Sequence, residues 1–192
     1  MLDIGCGPGD LEYLLKDEVK EIYGVDTSQR FIQECQKKFS KNSNVFFYKL
    51  DEKKYTDLSF IKNKNVSIII CLSVIQYYKS VEEVEMLIQS VKKIARPGAT
   101  FLIADIPVKH GALKDILSLL KVSLKEKILF ETLKFLFQLR FSKYYKVRSS
   151  RGLLIISERE LTQLINRLRL NARLLKMPLT FNHGRMHLLI NL

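Results

Sequence analysis

Three glycines within five positions, Gly5-Cys6-Gly7-Pro8-Gly9, stand between a short apolar run, Met1 to Ile4, and a stretch of helical period that begins at Asp10. Few folds are open to a chain that turns this tightly from strand to helix, because glycine alone adopts left-handed backbone without steric cost. The arrangement predicts a strand, a turn at the carboxyl edge of a parallel sheet where backbone amides can touch a ligand, and a helix over Asp10 to Asp17. Leu11, Leu14 and Leu15 form that helix's inner face. The alternation then repeats. Strands are expected at Ile22 to Val25, Val45 to Leu50, Ser67 to Leu72 and Ala99 to Ala104. Ser67 to Leu72 is nearly continuous in apolar character, which predicts a central strand covered on both faces. Thr27 or Ser28 caps a helix to Phe39 that buries Phe31, Ile32, Cys35 and Phe39. Ser80 with Glu83 is a capping-box pattern that opens a helix to Ala95, stopped by Arg96-Pro97-Gly98. The fold class is α/β, doubly wound around a mostly parallel sheet.

Beyond Asp105 the texture changes. From Ala112 to Phe141 there is no Gly or Pro, and Leu, Ile, Phe and Lys recur at helical spacing, which predicts one long or two shorter basic amphipathic helices. Ser157 with Glu160 is a second capping box, opening a helix to Leu170. Arg173 to Leu179 and Met186 to Asn191, joined at Asn182-His183-Gly184, predict a terminal antiparallel hairpin. No internal repeat or long linker divides the chain, so 1–192 is expected to be a single domain with 109–151 as a helical cap insertion. Charge follows this division. The 32 Lys and Arg and 20 Asp and Glu cancel over residues 1–108, and the whole +12 lies beyond them, +8 of it in 109–151. Such a field draws anionic partners. No apolar run approaches the roughly 20 residues of a membrane span, and the start of the chain lacks the pattern of a secretory signal, so a cytoplasmic protein is expected. Cys6, Cys35 and Cys71 lack metal or disulfide spacing and are expected as buried thiols. His183 and His187 have no carboxylate partner close in sequence, so no metal site is expected.

The residues around the turn say what kind of ligand it could take. The dinucleotide fingerprint G-x-G-x-x-G requires Gly at position 10, where this chain has Asp10, so pyrophosphate fits poorly. Asp10 occupies the helix start where a phosphate would sit, and Asp3 adds a second carboxylate. The cradle therefore prefers a cation or an amine. Asp26, at the end of the second strand, lies at the distance from the turn where an acid can hold two ribose hydroxyls. Asp51, ending the third strand, could accept from the exocyclic amine of a base.

In combination, Leu2-Asp3-Ile4-Gly5-Cys6-Gly7-Pro8-Gly9, Gly24-Val25-Asp26-Thr27-Ser28, Leu50-Asp51, Ile70 to Tyr77 and Arg96-Pro97-Gly98-Ala99 resemble the class I S-adenosylmethionine-dependent methyltransferase family, from Leu2 to about Ile106. The resemblance implies a Rossmann-like fold and S-adenosyl-L-methionine as cofactor. It implies that Gly5, Cys6, Gly7 and Gly9, with Asp3, wrap the methionine part. Asp26 and Thr27 would then meet the ribose, Asp51 and Glu52 the adenine, and the backbone at Leu72 the amino group. Set against the family pattern, the chain starts almost at the glycines, as a truncated or internally started product would.

Methyl transfer from a sulfonium is an in-line displacement, so a base is needed only if the acceptor must lose a proton. His110, with an ordinary pKa of about 6.5, and Asp105 are the candidate bases. Gln76, Tyr77 and Tyr78, after the fourth strand, are candidate walls for the acceptor. The Asn or Asp followed by Pro-Pro and an aromatic, usual in families that methylate nucleic-acid amines, is absent at Leu72 to Ile75. The basic segment is also strongly apolar, which suits a lid better than a phosphate-tracking surface. The expectation is a small or medium-sized acceptor, a sugar, lipid or metabolite, methylated at oxygen. Peripheral membrane contact through 112–141 is compatible with it. The alternatives are an RNA or protein methyltransferase guided by the basic half, or an inactive binding subunit of the same fold.

Overall fold

The computed structural model describes residues 1–108, 120, 123–124, 152–177, 179 and 184–192. β1 (Leu2–Ile4) leads through the glycine turn into α1 (Asp10–Leu15), then β2 (Ile22–Asp26), α2 (Gln29–Lys38) and β3 (Val45–Lys49). A 3₁₀ segment (Ser59–Lys64) precedes β4 (Val66–Leu72). A second (Ile75–Tyr77) precedes α3 (Val81–Ile94) and β5 (Ala95–Pro107). After the segment 109–151 come α4 (Glu158–Arg167), β6 (Asn171–Leu175) and β7 (Arg185–Asn191). The seven strands form one sheet in the order β3-β2-β1-β4-β5-β7-β6, parallel from β3 to β5 and antiparallel at β5–β7 and β7–β6. The doubly wound sheet and the antiparallel pairing of its last two strands are as the sequence predicts, but β6 runs over Asn171–Leu175 rather than Arg173 to Leu179, and Asn182 and His183 of the expected turn lie outside the described residues. The predicted cap helices within Ala112 to Phe141 fall almost wholly outside the described residues.

β1 lies between β2 and β4, so the chain leaves it in opposite directions along the sheet. At such a switch point the loops diverge and leave a crevice outside the carboxyl ends of the strands. One face of the sheet packs Leu2, Ile4, Ile69, Cys71, Phe101 and Ile103 against Leu87, Ile88 and Val91 of α3 and Leu161 and Leu164 of α4. A second cluster joins Met1, Cys6 and Ile22 to Ile32, Cys35 and Phe39 on α2 and to Phe47. Together they fix β1, and with it the turn.

Four expectations change. Leu14 is 72% exposed, and Glu12 instead is wholly buried, because α1 turns that side chain onto β2 over Gly24. β4 is central but its second face is only partly covered: Ile70 packs against the smaller cluster, while Ile68 is 43% and Leu72 40% exposed. The pattern at Ser80 is not a capping box. Ser80 caps α3 without a side-chain bond to its backbone, and Glu83 accepts from the Lys79 amide and the Tyr55 hydroxyl. Arg96-Pro97-Gly98 ends α3 but belongs to β5, which begins at Ala95 and extends past Ala104 to Pro107. The box at Ser157 is complete: its hydroxyl accepts from the Glu160 amide, and the Glu160 carboxylate accepts from the Ser157 amide. Among the described residues no helix is long and apolar enough to cross a membrane.

Candidate functional site

Gly5, Gly7 and Gly9 all have left-handed backbone, with φ of 81°, 53° and 78°. The amides of Gly5 and Cys6 both donate to the Val25 carbonyl, at 2.7 and 3.1 Å. The Asp26 carboxylate completes the turn, accepting from the Gly7 amide at 3.1 Å and the Ser28 amide at 2.7 Å. A Cβ at Gly5 would lie 2.3 Å from Val74 Cγ2, and one at Gly9 would press on Phe39 and Cys35. A Cβ at Gly7 would meet nothing within 4 Å. The turn is therefore packed at both ends and open at its middle, where a ligand could approach the backbone. The middle is anchored from behind as well, since the Gly7 carbonyl accepts from the Cys35 thiol at 3.3 Å. A hydrogen bond between the free thiols of Cys6 and Cys35 pushes Cys6 up and Cys35 down.

The tips of β2 and β3 are tied together by the Leu50 amide, which donates to the Asp26 carbonyl at 2.8 Å. Asp51 and Glu52 are exposed beside them in an open cleft of about 630 Å³ lined by residues 49–53, and Asp51 Oδ1 accepts from the Lys53 amide at 2.7 Å. Asp3, Gly5, Cys6, Gly7, Gly9, Asp26 and Thr27 thus gather around one turn, with Asp51 and Glu52 on the adjoining strand tip. Glu12, which no sequence motif marks, joins them. Asp3, Glu12 and Asp26 are all buried. Burial, reinforced by the charge of Glu12, holds Asp3 well above the usual carboxylate range, and burial pushes Glu12 up to about 7. The available signal was Gly24, a bare position on a buried strand that leaves room for a side chain from above.

Across the switch point, Ser73 after β4 and Asp105 in β5 both have left-handed backbone, with φ of 60° and 65°. The Ser73 hydroxyl donates to Asp105 Oδ2 at 2.6 Å, and Arg185 Nε stands 3.6 Å from Asp105 Oδ1. The Asp105 amide donates to Nδ1 of His187, a buried histidine whose pKa burial pushes down. Asp105 thereby joins β4, β5 and β7, a network the sequence reading lacked because its partners lie 32 and 80 positions away. Gln76 is buried, and its side-chain amide donates to the Ser73 carbonyl at 2.9 Å. Tyr77 is partly exposed. Tyr78 is buried with its ring 5.0 Å from that of Tyr55, and burial pushes its hydroxyl well above its ordinary pKa. His110 lies outside the described residues. Among those described, no cluster of three or more His, Cys, Asp or Glu is arranged to hold a metal ion.

Known proteins resemble this chain in sequence and fold. YqeM of Bacillus subtilis (strain 168), provisionally named as a methyltransferase, is 24% identical over 102 residues, which are 53% of this chain and 40% of that protein. The chain thus spans about two fifths of the curated relative it matches. The PH0226 protein of Pyrococcus horikoshii OT3 aligns over 99% of this chain and 80% of its own, with 22% identity and a TM-score of 0.62. Magnesium protoporphyrin IX methyltransferase of Synechocystis PCC 6803, solved with bound S-adenosylhomocysteine, aligns over 99% of this chain and 71% of its own, with 16% identity and a TM-score of 0.57. Phosphoethanolamine N-methyltransferase 2 of Haemonchus contortus, solved with phosphomonomethylethanolamine and S-adenosylhomocysteine, aligns over 94% and 36%, with 18% identity and a TM-score of 0.62. At these identities the structural likenesses carry the fold. A family model described as a methyltransferase domain matches residues 1–98, just over half of the chain, and on that match the chain belongs to the class I S-adenosylmethionine-dependent methyltransferases.

Proposed function

We propose that this chain moves a methyl group from S-adenosylmethionine to a small or medium-sized acceptor, with oxygen the preferred atom. The observation that carries the cofactor part is the glycine turn, open at Gly7 and held there by a buried Asp26. S-adenosylmethionine supplies a methyl group on a sulfonium, and the protein's task is to align the acceptor and exclude water. A carboxylate offers about four acceptor positions, and Asp26 uses two on backbone amides, so two are left for the ribose hydroxyls. Thr27 would stand beside them. Asp51 and Glu52 would face the adenine amine, the backbone at Leu72 the ammonium, and Asp3 would set the charge beneath the methionine part.

On the acceptor side, Gln76 and Tyr77 would line the pocket with Tyr78 as packed wall. Asp105 is held by Ser73 and Arg185, which suits it to fixing the β4 tip, and leaves His110 as the candidate to take a proton. The segment 109–151 would cover the acceptor as a cap within a single domain. Its two ends support this, because the Ile156 amide donates to the Pro107 carbonyl at 2.9 Å and the Leu154 amide to the Gln76 carbonyl at 2.8 Å. The segment leaves and returns beside a candidate acceptor residue. The porphyrin and phosphoethanolamine substrates in the names of two similar structures support a small acceptor.

Incubation with methyl-labelled S-adenosylmethionine and fractionated cell extract tests the proposal. Label is expected in a small-molecule or lipid fraction, and it should vanish with Asp26→Ala. Label confined to RNA or protein would overturn the acceptor class. Absence of any thermal shift with the cofactor would overturn catalysis.

A further inference from the structure

Glu12 is wholly buried in the first turn of α1, and apart from its own backbone amide no donor among the described residues reaches its carboxylate. Its carboxylate lies so close to β2 that a Cβ on Gly24 would be 2.7 Å from Oε1. Asp3, the register partner of Gly24 on β1, is the group within hydrogen-bonding reach. Two buried carboxylates in contact, with no side-chain donor or free cation beside them, are held most stably by a proton between them. The remaining surroundings do not replace it. Asp26 faces the pair from β2, Cys71 from β4, Cys6 from the turn, Asp10 from α1, and Cys35 and Lys38 from α2. The one cation among them, Lys38, is engaged with the Pro8 and Gly9 carbonyls and stands by Asp10.

We propose that Glu12 is a positioning residue for the cofactor: it holds Asp3 through one shared proton beneath the glycine turn, and that proton passes to solvent when the cationic cofactor binds. The inference rests on the reading of the turn as the S-adenosylmethionine site. The step balances simply. A pair carrying one proton, plus the cofactor cation, becomes a pair of carboxylates with the cation bound and one proton in the buffer. No other bond or electron moves. The cofactor's positive charge takes over what the proton did, and Glu12 and Asp3 then act together as the counter-charge behind the turn.

Calorimetric titration of the full chain with S-adenosylmethionine, in two buffers of different ionisation enthalpy between pH 6 and 8, tests this. Release approaching one proton per cofactor is expected across this range, and binding should tighten as pH rises, by up to about tenfold per pH unit. Glu12→Gln, isosteric with the protonated acid, should cut the release to a small fraction and reduce the pH effect to less than about twofold, carrying the ligand's own titration as background. Wild-type binding with no proton release and flat affinity would overturn the inference and leave the cofactor reading intact. Undiminished release from Glu12→Gln would overturn it too, since the proton would then lie elsewhere. No binding at any pH would overturn the cofactor reading, and this inference with it. If the variant fails to fold, the wild-type proton count still decides, and difference infrared spectroscopy should show a protonated-carboxyl band lost on binding.

Discussion

Gly5 and Gly7 share a left-handed backbone but not an environment, and that difference separates stability from function within one turn. Gly5→Ala combines an unfavourable φ with a Cβ 2.3 Å from Val74 Cγ2. It should lower unfolding free energy by about 2–4 kcal/mol in urea titrations. Gly7→Ala meets nothing within 4 Å, so its stability cost should stay near the 1–2 kcal/mol of the backbone alone. Its Cβ would project into the open middle of the turn, and cofactor affinity measured by calorimetry should fall more than about tenfold. Glu12 gives a second prediction at this scale, read on the protein without ligand. An acid whose folded pKa is raised binds its proton more tightly folded than unfolded, so its contribution is present at low pH and lost as pH rises from its unfolded value to about 7. Glu12→Gln keeps the neutral form throughout. Its thermal midpoint relative to wild type should therefore climb from pH 5 to pH 8, with a differential on the order of 3 kcal/mol at the upper end. A difference that stays flat across that range would show that Glu12 is ionised in the folded chain.

Helix starts show at the scale of elements what could be read from sequence and what could not. Ser157-x-x-Glu160 and Ser80-x-x-Glu83 are the same pattern, yet only the first closes as a box. The difference is tertiary. Among the described residues Glu160 accepts only from Ser157, whereas Tyr55 comes from the chain before β4 to take Glu83. Ser157→Ala should accordingly cost about 1 kcal/mol in denaturant unfolding, while Ser80→Ala should cost less than half of that. The same logic covers the rest. Strands β2 to β5 and the switch of chain direction followed from periodicity, because a buried parallel strand is written in consecutive apolar residues. The acids at the tips of β2 and β3 followed from their position after those strands. Glu12 did not, since a helix of six residues gives too few turns to fix which face is inward, and Leu11, Leu14 and Leu15 outvote one glutamate. The tie of Ser73, Asp105, Arg185 and His187 was equally hidden, because nothing local in Arg185 to His187 points to a strand 80 residues earlier.

The whole molecule divides by charge where it divides by structure. Residues 1–108 are neutral and build the turn, the strand tips and five parallel strands, while the +12 lies beyond them, mostly in 109–151. That segment departs after Val108 and returns at Gly152, and the chain on either side is already joined by the hydrogen bond from Ile156 to Pro107. The sheet does not depend on it for closure, since β7 docks on β5 and β6 on β7 through their own registers. Replacing 109–151 by a short Gly and Ser linker should therefore leave the fold standing, and the shorter loop should lower the closure cost by about 1–2 kcal/mol. Cofactor affinity should stay within about threefold of wild type, because none of the candidate cofactor residues lies in the segment. Methyl transfer should fall by at least about a hundredfold if the segment aligns the acceptor and excludes water. Calorimetry, circular dichroism and label transfer on the one variant separate these outcomes. Loss of cofactor binding with secondary structure intact would move the segment from the acceptor to the cofactor, and undiminished transfer would leave the basic half as a surface for partners rather than a cover for chemistry.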